Sequence, residues 1–191
     1  MKTTVVFHDH VKTSINRICS EQLVPKTVIE LGVFEGDTTF NLAHLLSQHH
    51  PDYKHYAVDP FTASENLTQP RLDEAKALFL ENLAQYPQVE LITKDSVAGL
   101  IELYSRGVKA DLIYVDGSHF AKDVLVDSAL GFELLNIGGV MLFDDAVSWR
   151  YGEQIQDSPK IAVDAFIHCN WDRLEVLEMP NGYQVAVKRI K

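Results

Sequence analysis

The stretch TVIELGVFEGDT, residues 27–38, joins an apolar run to two glycines and then to a polar helix start. A short run of β-branched and apolar residues is typical of a strand that helices cover on both faces. Gly32 and Gly36 permit a sharp turn and a close approach of the backbone to a ligand. Asp37 is a residue type that caps helices, so a helix is predicted over residues 38–48. Together these features predict the first strand–turn–helix unit of a parallel α/β sheet.

Five predicted strands each carry a carboxylate at their end. The first holds Glu30, and the others read YAVD, VELITKD, DLIYVD and GVMLFDD and end at Asp59, Asp95, Asp116 and the pair Asp144 and Asp145. Because the carboxyl ends of parallel strands form the ligand crevice of an open α/β sheet, these acids should meet along one edge. Crowded carboxylates raise one another's pKa unless a cation compensates their charge. Two cations, or one large one, are therefore expected at this edge.

Helical patterns alternate with the strands, over residues 9–23, 71–86, 96–105, 120–136 and 161–169. Gly138 and Gly139 are expected to stop the helix over 120–136. The alternating runs LEVLEM and YQVAVKRI flank Pro180-Asn181-Gly182, and Asn-Gly in this position is a strong signal for a β-hairpin. The predicted fold is one Rossmann-like α/β domain over residues 1–191, with a lead-in helix within residues 1–25. Its seven-stranded sheet is parallel except for an antiparallel C-terminal hairpin strand, and helices cover both faces.

Composition limits the class of partner. The chain has 191 residues and a formal net charge of −10, from 27 acidic and 17 basic side chains. No basic run is present, which argues against nucleic acid or an anionic membrane as the main partner. Cys19 and Cys169 lack the spacing of a metal or redox motif and fit a reducing compartment. No apolar window reaches the roughly 18 residues of a membrane helix, so a cytoplasmic protein is expected.

The glycine turn favours a cationic ligand over a dinucleotide. A dinucleotide site would need a helix N-terminus free for pyrophosphate, and Glu35 and Asp37 stand where that anion would bind. The spacing Glu30-x-Gly32-x-x-x-Gly36 instead resembles motif I of class I S-adenosylmethionine-dependent methyltransferases, whose cofactor carries a sulfonium and an ammonium. An ordinary glycine-rich strand-to-helix turn is the alternative interpretation.

The ends of the second and third strands offer further cofactor contacts. Asp59 lies 29 residues after Glu30, where an acid can accept hydrogen bonds from both ribose hydroxyls, although it could also be an exposed turn residue before Pro60. Asp95 with Ser96 could simply cap a helix, whereas the methyltransferase resemblance implies a contact to the adenine amino group there. The cofactor-binding residues implied by the resemblance are Glu30, Gly32, Gly36, Thr38, Asp59, Asp95, Ser96 and Asp116.

The last two acidic strand ends predict a metal site. Asp116 with Asp144 and Asp145 offers three hard oxygen ligands, which suit Mg²⁺ or another divalent cation, and zinc is less attractive without a nearby cysteine. Here the chain resembles the metal-dependent O-methyltransferases of the family called methyltransferase domain 24, which includes macrolide-sugar tailoring enzymes. Its members have an Asp-x-x-His after the fourth strand, matched by Asp116 to His119, and an acidic pair after the fifth. The resemblance covers about residues 26–190.

His119 and Asp116 are the catalytic candidates. An imidazole can accept a proton near neutral pH, and His119 lies close enough in sequence to Asp116 to reach a hydroxyl bound at the metal. The alternative is that His119 merely begins the following helix. The resemblance implies in-line methyl transfer from S-adenosylmethionine to a hydroxyl of a small molecule or sugar.

The loops 61–70 and 146–160 are the predicted walls of the acceptor site. Phe61 and the segment Trp149-Arg150-Tyr151 could contact a ring or an anionic group, or could pack locally. Larger relatives carry a lid before the first strand, whereas about 25 residues precede it here, so a partner subunit in a homo-oligomer could close the site.

Three other functions compete with a small-molecule O-methyltransferase. One is a module that binds S-adenosylmethionine or S-adenosylhomocysteine without catalysis, and another is a methyltransferase with a nitrogen or macromolecular acceptor. A phosphoryl-accepting receiver domain ranks far behind, because it would carry its acidic pair after the first strand and a lysine after the fifth.

Overall fold

A computed structural model of the chain describes residues 9–21, 24–63, 67–146, 158–180 and 182–191. The strands are β1 (Thr27–Leu31), β2 (Lys54–Val58), β3 (Val89–Ile92), β4 (Ala110–Val115), β5 (Leu135–Phe143), β6 (Leu174–Leu177) and β7 (Val185–Arg189). The helices are α1 (Asp9–Glu21), α2 (Asp37–His49), α3 (Gln69–Leu83), α4 (Ser96–Ser105), α5 (Ala121–Leu134) and α6 (Pro159–Cys169).

The strands form one seven-stranded sheet in the order β3-β2-β1-β4-β5-β7-β6. Strands β1 to β5 pair in parallel, and β7 runs antiparallel to both β5 and β6. The predicted Rossmann-like sheet with an antiparallel C-terminal hairpin strand is therefore confirmed. The strand order reverses between β1 and β4, and in open α/β sheets the ligand crevice lies at such a point, outside the carboxyl ends of the strands.

Two apolar cores lie on the two faces of the sheet. On one face, Val28, Ala57 and Leu112 pack beneath α1, α2 and α3. On the other, Ile29 and Ile113 pack beneath α4, α5 and α6. Because successive strand residues point to opposite faces, a strand covered on both faces is apolar at nearly every position. This arrangement explains the continuous apolar runs and leaves the strand ends as the place for polar side chains.

Two local predictions are wrong. Gly138 and Gly139 do not end a helix, because α5 ends at Leu134 and both glycines lie inside β5. There Gly138 has φ +87° and lies beside a register irregularity between β4 and β5. The two glycines therefore belong to a β-bulge. Asp37 is not the cap of α2 either, because the left-handed Gly36 occupies the N-cap position. Asp37 lies in the first turn of α2, where a negative charge interacts favourably with the helix dipole.

Parts of the predicted acceptor walls fall outside the described residues. These are residues 64–66 of the first loop and 147–157 of the second, including Trp149, Arg150 and Tyr151, and the hairpin residue Asn181. None of the helices within the described part of the chain is long and apolar enough to cross a membrane.

Candidate functional site

Strained backbone lies at the carboxyl edge of the sheet. Among the described residues, the non-glycine positions with left-handed backbone are Phe34, Phe61 and Asp145, with φ of +45°, +48° and +47°. They follow the ends of β1, β2 and β5. Such conformations cost about 1–3 kcal/mol each, persist only where the surroundings impose them, and cluster at functional sites. The strain therefore points to the same edge as the predicted acids.

The β1–α2 turn, residues 32–36, lies against the end of β4. The Gly32 amide donates to the Val58 carbonyl at 2.9 Å, and the Asp116 amide donates to the Leu31 carbonyl at 2.8 Å. Gly32 has φ +83°, and a Cβ at this position would lie 2.2 Å from the Asp116 carbonyl oxygen. Only glycine fits here, because the backbone of β4 already fills the space. The predicted cofactor turn and the predicted metal ligand Asp116 are thus in direct contact.

Asp59 holds both strained aromatic residues in place. Its Oδ2 accepts hydrogen bonds from the amides of Val33 and Phe34 at 3.0 and 3.1 Å, and its Oδ1 accepts one from the Phe61 amide at 2.7 Å. Asp59 is therefore a half-buried brace between β2 and the turn rather than an exposed turn acid. A carboxylate has about four lone-pair positions, so acceptance from a ribose hydroxyl stays a prediction.

Two glutamates of motif I are buried and contact protein side chains. Glu30 is 1% exposed, and its Oε2 lies 2.9 Å from Nε2 of the fully buried His55 on β2. Glu35 is 2% exposed and forms an ion pair with Arg71 on α3. The prediction that Glu35 stands where a ligand anion would bind is wrong, because its carboxylate faces α3. Neither partner was predicted, since nothing local in the sequence links His55 to Glu30 or Arg71 to Glu35.

The residues after β3 and at the start of α2 are placed as helix starts. The Asp95 carboxylate accepts the Ala98 amide at 2.8 Å, so the capping interpretation of Asp95 is confirmed. Ser96 is the first residue of α4, and the half-buried Thr38 lies in the first turn of α2. Contacts from these residues to a cofactor stay predictions.

A cluster of possible metal ligands follows β4 and β5. Asp116, His119 and Asp145 each present one ligand atom, and these three atoms lie within 4.8 Å of one another. His119 donates from Nε2 to Oδ2 of Asp145 at 2.8 Å. The alternative that His119 begins the following helix is wrong, because α5 starts at Ala121 with Phe120 as its N-cap. The His119 imidazole lies against the end of β5 instead. The cluster is half-exposed, so a ligand can reach it.

Electrostatic repulsion among the carboxylates at this cluster favours the binding of a cation. Burial, followed by the charges of Asp144, Asp145 and Glu30, raises the pKa of Asp116 well above its usual range. Burial and the charges of Asp116 and Asp144 likewise raise the pKa of Tyr114. Carboxylates that repel in this way are stabilised by a divalent cation. The carboxylates of Asp116 and Asp145 are hard oxygen ligands of the kind that Mg²⁺ and Mn²⁺ prefer.

Asp144 lies outside the cluster, so the structure does not gather the predicted ligand set Asp116, Asp144 and Asp145. The Asp144 Oδ1 accepts a hydrogen bond from Nε2 of Gln184 at 2.5 Å. Successive residues at a strand end point to opposite sides, and the left-handed backbone of Asp145 turns its carboxylate toward His119 instead. Gln184 was not predicted, because it reaches the site only through the pairing of β7 with β5.

Comparisons with known proteins agree with this architecture. Residues 29–146 match the family described as a methyltransferase domain. The uncharacterized protein R132 of Acanthamoeba polyphaga mimivirus is 24% identical over 163 residues, which are 83% of this chain and 69% of that protein.

Two solved structures share the fold. The O-methyltransferase from Bacillus cereus in complex with SAH has a TM-score of 0.69 at 16% identity, covering 98% of this chain and 84% of that chain. The O-methyltransferase TomG from Streptomyces achromogenes, involved in tomaymycin synthesis and solved with SAM, has a TM-score of 0.69 at 17% identity, covering 98% and 82%. The family match spans well over half of the sequence and includes the glycine turn and both acidic strand ends. The chain therefore belongs to the methyltransferase domain family and is a class I S-adenosylmethionine-dependent methyltransferase.

Proposed function

We propose that this protein transfers a methyl group from S-adenosylmethionine to a hydroxyl of a small molecule or sugar, with the help of Mg²⁺ or another divalent cation. The observation that carries this proposal is the direct contact between the glycine turn at Gly32 and Asp116, which belongs to the cluster with His119 and Asp145. A cofactor at the turn and a hydroxyl at the cluster would then lie side by side.

The turn and the neighbouring strand ends would hold the cofactor. Their backbone approaches closely at Gly32, and Asp59 keeps the amides of the turn in one arrangement. The cofactor supplies an electrophilic methyl group on a sulfonium. Holding that methyl and the acceptor oxygen at attack distance is the main contribution the protein can make to the rate.

The cluster would hold and deprotonate the acceptor. A bound divalent cation lowers the pKa of a hydroxyl at its surface. Asp116 and Asp145 would hold that cation. His119 would accept the hydroxyl proton, and its hydrogen bond to Asp145 orients the ring for this step. The lone cysteines and the acidic charge fit a cytoplasmic enzyme, and the net charge of −10 disfavours a nucleic-acid acceptor.

Calorimetry with S-adenosylmethionine and S-adenosylhomocysteine, each with and without Mg²⁺, tests the cofactor proposal. We expect both to bind the wild type and Asp59→Asn to bind them more weakly. Asp111→Asn is the matched control, because Asp111 also accepts two backbone amides, from Lys26 and Thr27 at 3.0 Å each, at the opposite edge of the sheet. Both variants should lose stability, but only Asp59→Asn should lose affinity. No binding of either ligand to the wild type would remove the proposal.

A further inference from the structure

One side chain of helix α3, Arg71, contacts the strained part of the β1–α2 turn. The Arg71 guanidinium forms an ion pair with the buried Glu35 carboxylate, and its Cζ lies 4.7 Å from the centre of the Phe34 ring. Arg71 thus contacts two consecutive residues of the turn. One of them, Phe34, has the left-handed backbone that a bulky residue adopts only under constraint.

Further contacts from α3 hold the same turn and its neighbour. The Asn82 side chain donates to the Glu35 carbonyl at 3.3 Å, and a Cβ on Gly36 would lie 2.7 Å from the Phe79 ring. At the start of α3, Gln69 donates from Nε2 to the carbonyl of the second strained residue, Phe61, at 3.0 Å. The turn is therefore held between Asp59 on one side and α3 on the other.

Asp59 and Arg71 constrain different parts of the turn. Asp59 accepts the amides of Val33 and Phe34, so it sets where those N–H groups point. Arg71 holds the Phe34 ring and the next side chain, so it resists relaxation of Phe34 to an ordinary conformation. Relaxation would leave the Glu35 carboxylate buried without its cation, which is strongly unfavourable.

We propose that Arg71 is a positioning residue for S-adenosylmethionine, acting through Glu35 and Phe34 on the shape of the β1–α2 turn. This inference rests on the proposed function, because the turn is the proposed cofactor site. Arg71 is not a catalytic residue here, since it acts on the turn rather than on reacting atoms. Loss of Arg71 should therefore weaken cofactor binding and spare the chemical step.

The first experiment compares Arg71→Met with a matched arginine. Arg106 also pairs with a carboxylate, Glu90, at 2.7 Å and lies over an aromatic ring, Tyr56, at 5.1 Å, but it contacts no residue of the turn. Arg71→Met should raise the Kd for S-adenosylmethionine about 10- to 100-fold and raise its KM, with kcat at saturating cofactor within about twofold. Arg106→Met should leave both unchanged. Unchanged affinity in Arg71→Met, or an equal loss in Arg106→Met, would overturn the proposal.

A double-mutant cycle tests whether Arg71 acts through Glu35. In a Glu35→Gln background, Arg71→Met should cost much less affinity than in the wild type, because the pair is already broken. Full additivity would contradict the mechanism. If Arg71→Met does not fold, Arg71→Lys keeps the charge without the planar contact and should lose part of the affinity; wild-type affinity in Arg71→Lys would then count against the proposal. Failure of the wild type to bind cofactor would sink the proposed function instead, so the two failures are distinguishable.

Discussion

His119 and Asp145 form the contact on which the proposed proton transfer depends. The imidazole donates from Nε2 to Asp145, and a neutral imidazole has one donor and one acceptor nitrogen. Nδ1 is therefore the atom that would take the acceptor proton. The backbone of Asp145 is left-handed, a conformation that aspartate tolerates better than most residues. A strained position thus serves to orient the proposed base.

Replacing His119 tests its role as the base. His119→Ala should lower kcat by about 10²–10⁴ with little change in cofactor affinity, because the loss falls in the transition state. Steady-state kinetics measures the loss in kcat, and calorimetry measures the cofactor affinity. His168→Ala, which removes another exposed histidine at the end of α6, is the control and should keep wild-type rates. Full activity in His119→Ala would show that His119 is not the base.

At the scale of elements, helix α5 carries a buried acid that lies near the start of α4. Asp127 on α5 is 1% exposed, and burial raises its pKa to about 6. This pKa also includes a lowering by the Ser96 side chain and smaller increases from the charges of Asp123 and Asp95. Above the pKa the buried carboxylate is charged and opposes the packing of α5 against α4. The helix pair thus carries a cost in stability near neutral pH.

Asp127→Asn should remove this cost. The folded pKa of about 6 exceeds the ordinary value of 3.8, so the folded state holds the proton more tightly and the penalty is fully present above about pH 6. The variant should be more stable than the wild type by about 1–3 kcal/mol at pH 7.5, and the gain should shrink as pH falls toward 4. Urea unfolding at several pH values measures it. Asp123→Asn is the control: its pKa is lowered through Lys122 and Ser118, so it should gain no stability. A pH-independent gain at Asp127 would contradict this account.

The crowding of Gly32 in the β1–α2 turn leads to a prediction about its replacement. Gly32 and Gly107 both have left-handed backbone, with φ of +83° and +70°, but only Gly32 is crowded by other backbone. Gly32→Ala should therefore lose both stability and cofactor binding, because its Cβ would push apart the ends of β1 and β4. Gly107→Ala should cost only the left-handed strain, about 1 kcal/mol, with binding intact. Thermal unfolding and calorimetry on both variants decide the matter. Equal effects would show that crowding at Gly32 is unimportant.

For the whole molecule, a cation bound at the proposed metal site would couple binding to folding. A cation that binds only the folded state adds RT ln(1 + [L]/Kd) to its stability, about 2.7 kcal/mol at a hundredfold excess over Kd. Mg²⁺ or Mn²⁺ should therefore raise the Tm of the wild type, and a chelator should reverse the rise.

Variants locate this metal effect. Asp145→Ala should abolish the rise in Tm, whereas Asp172→Ala, which removes an exposed acid near Lys191, should retain it. His119→Ala should also retain it if His119 is the base rather than a ligand. A rise that survives in Asp145→Ala would place the cation elsewhere.

The amino-acid sequence by itself determined the sheet and the edge of the sheet at which the candidate site lies. Continuous apolar runs that end in acids specify parallel strands with their carboxylates at one edge, and Asn-Gly between two alternating runs specifies the hairpin. Burial on both faces leaves only the strand ends for charged groups, so this information is local and can be read along the chain. The resemblance to methyltransferases followed from the same local spacings, at Glu30 to Gly36 and at Asp116 to His119.

Only the tertiary structure decided which side chains meet at that edge. The pairs Glu35 with Arg71 and Asp144 with Gln184 are separated by 36 and 40 residues, and Glu30 with His55 by 25. Asp145, which has left-handed backbone, contacts His119, whereas Asp144 contacts Gln184. Such pairings depend on how strands align and helices pack, and a side-chain contact across the fold leaves no periodic trace in the sequence. Gly138 and Gly139 are a further example. Their local sequence predicts a helix stop, but the pairing of β5 with β4 places them in a β-bulge.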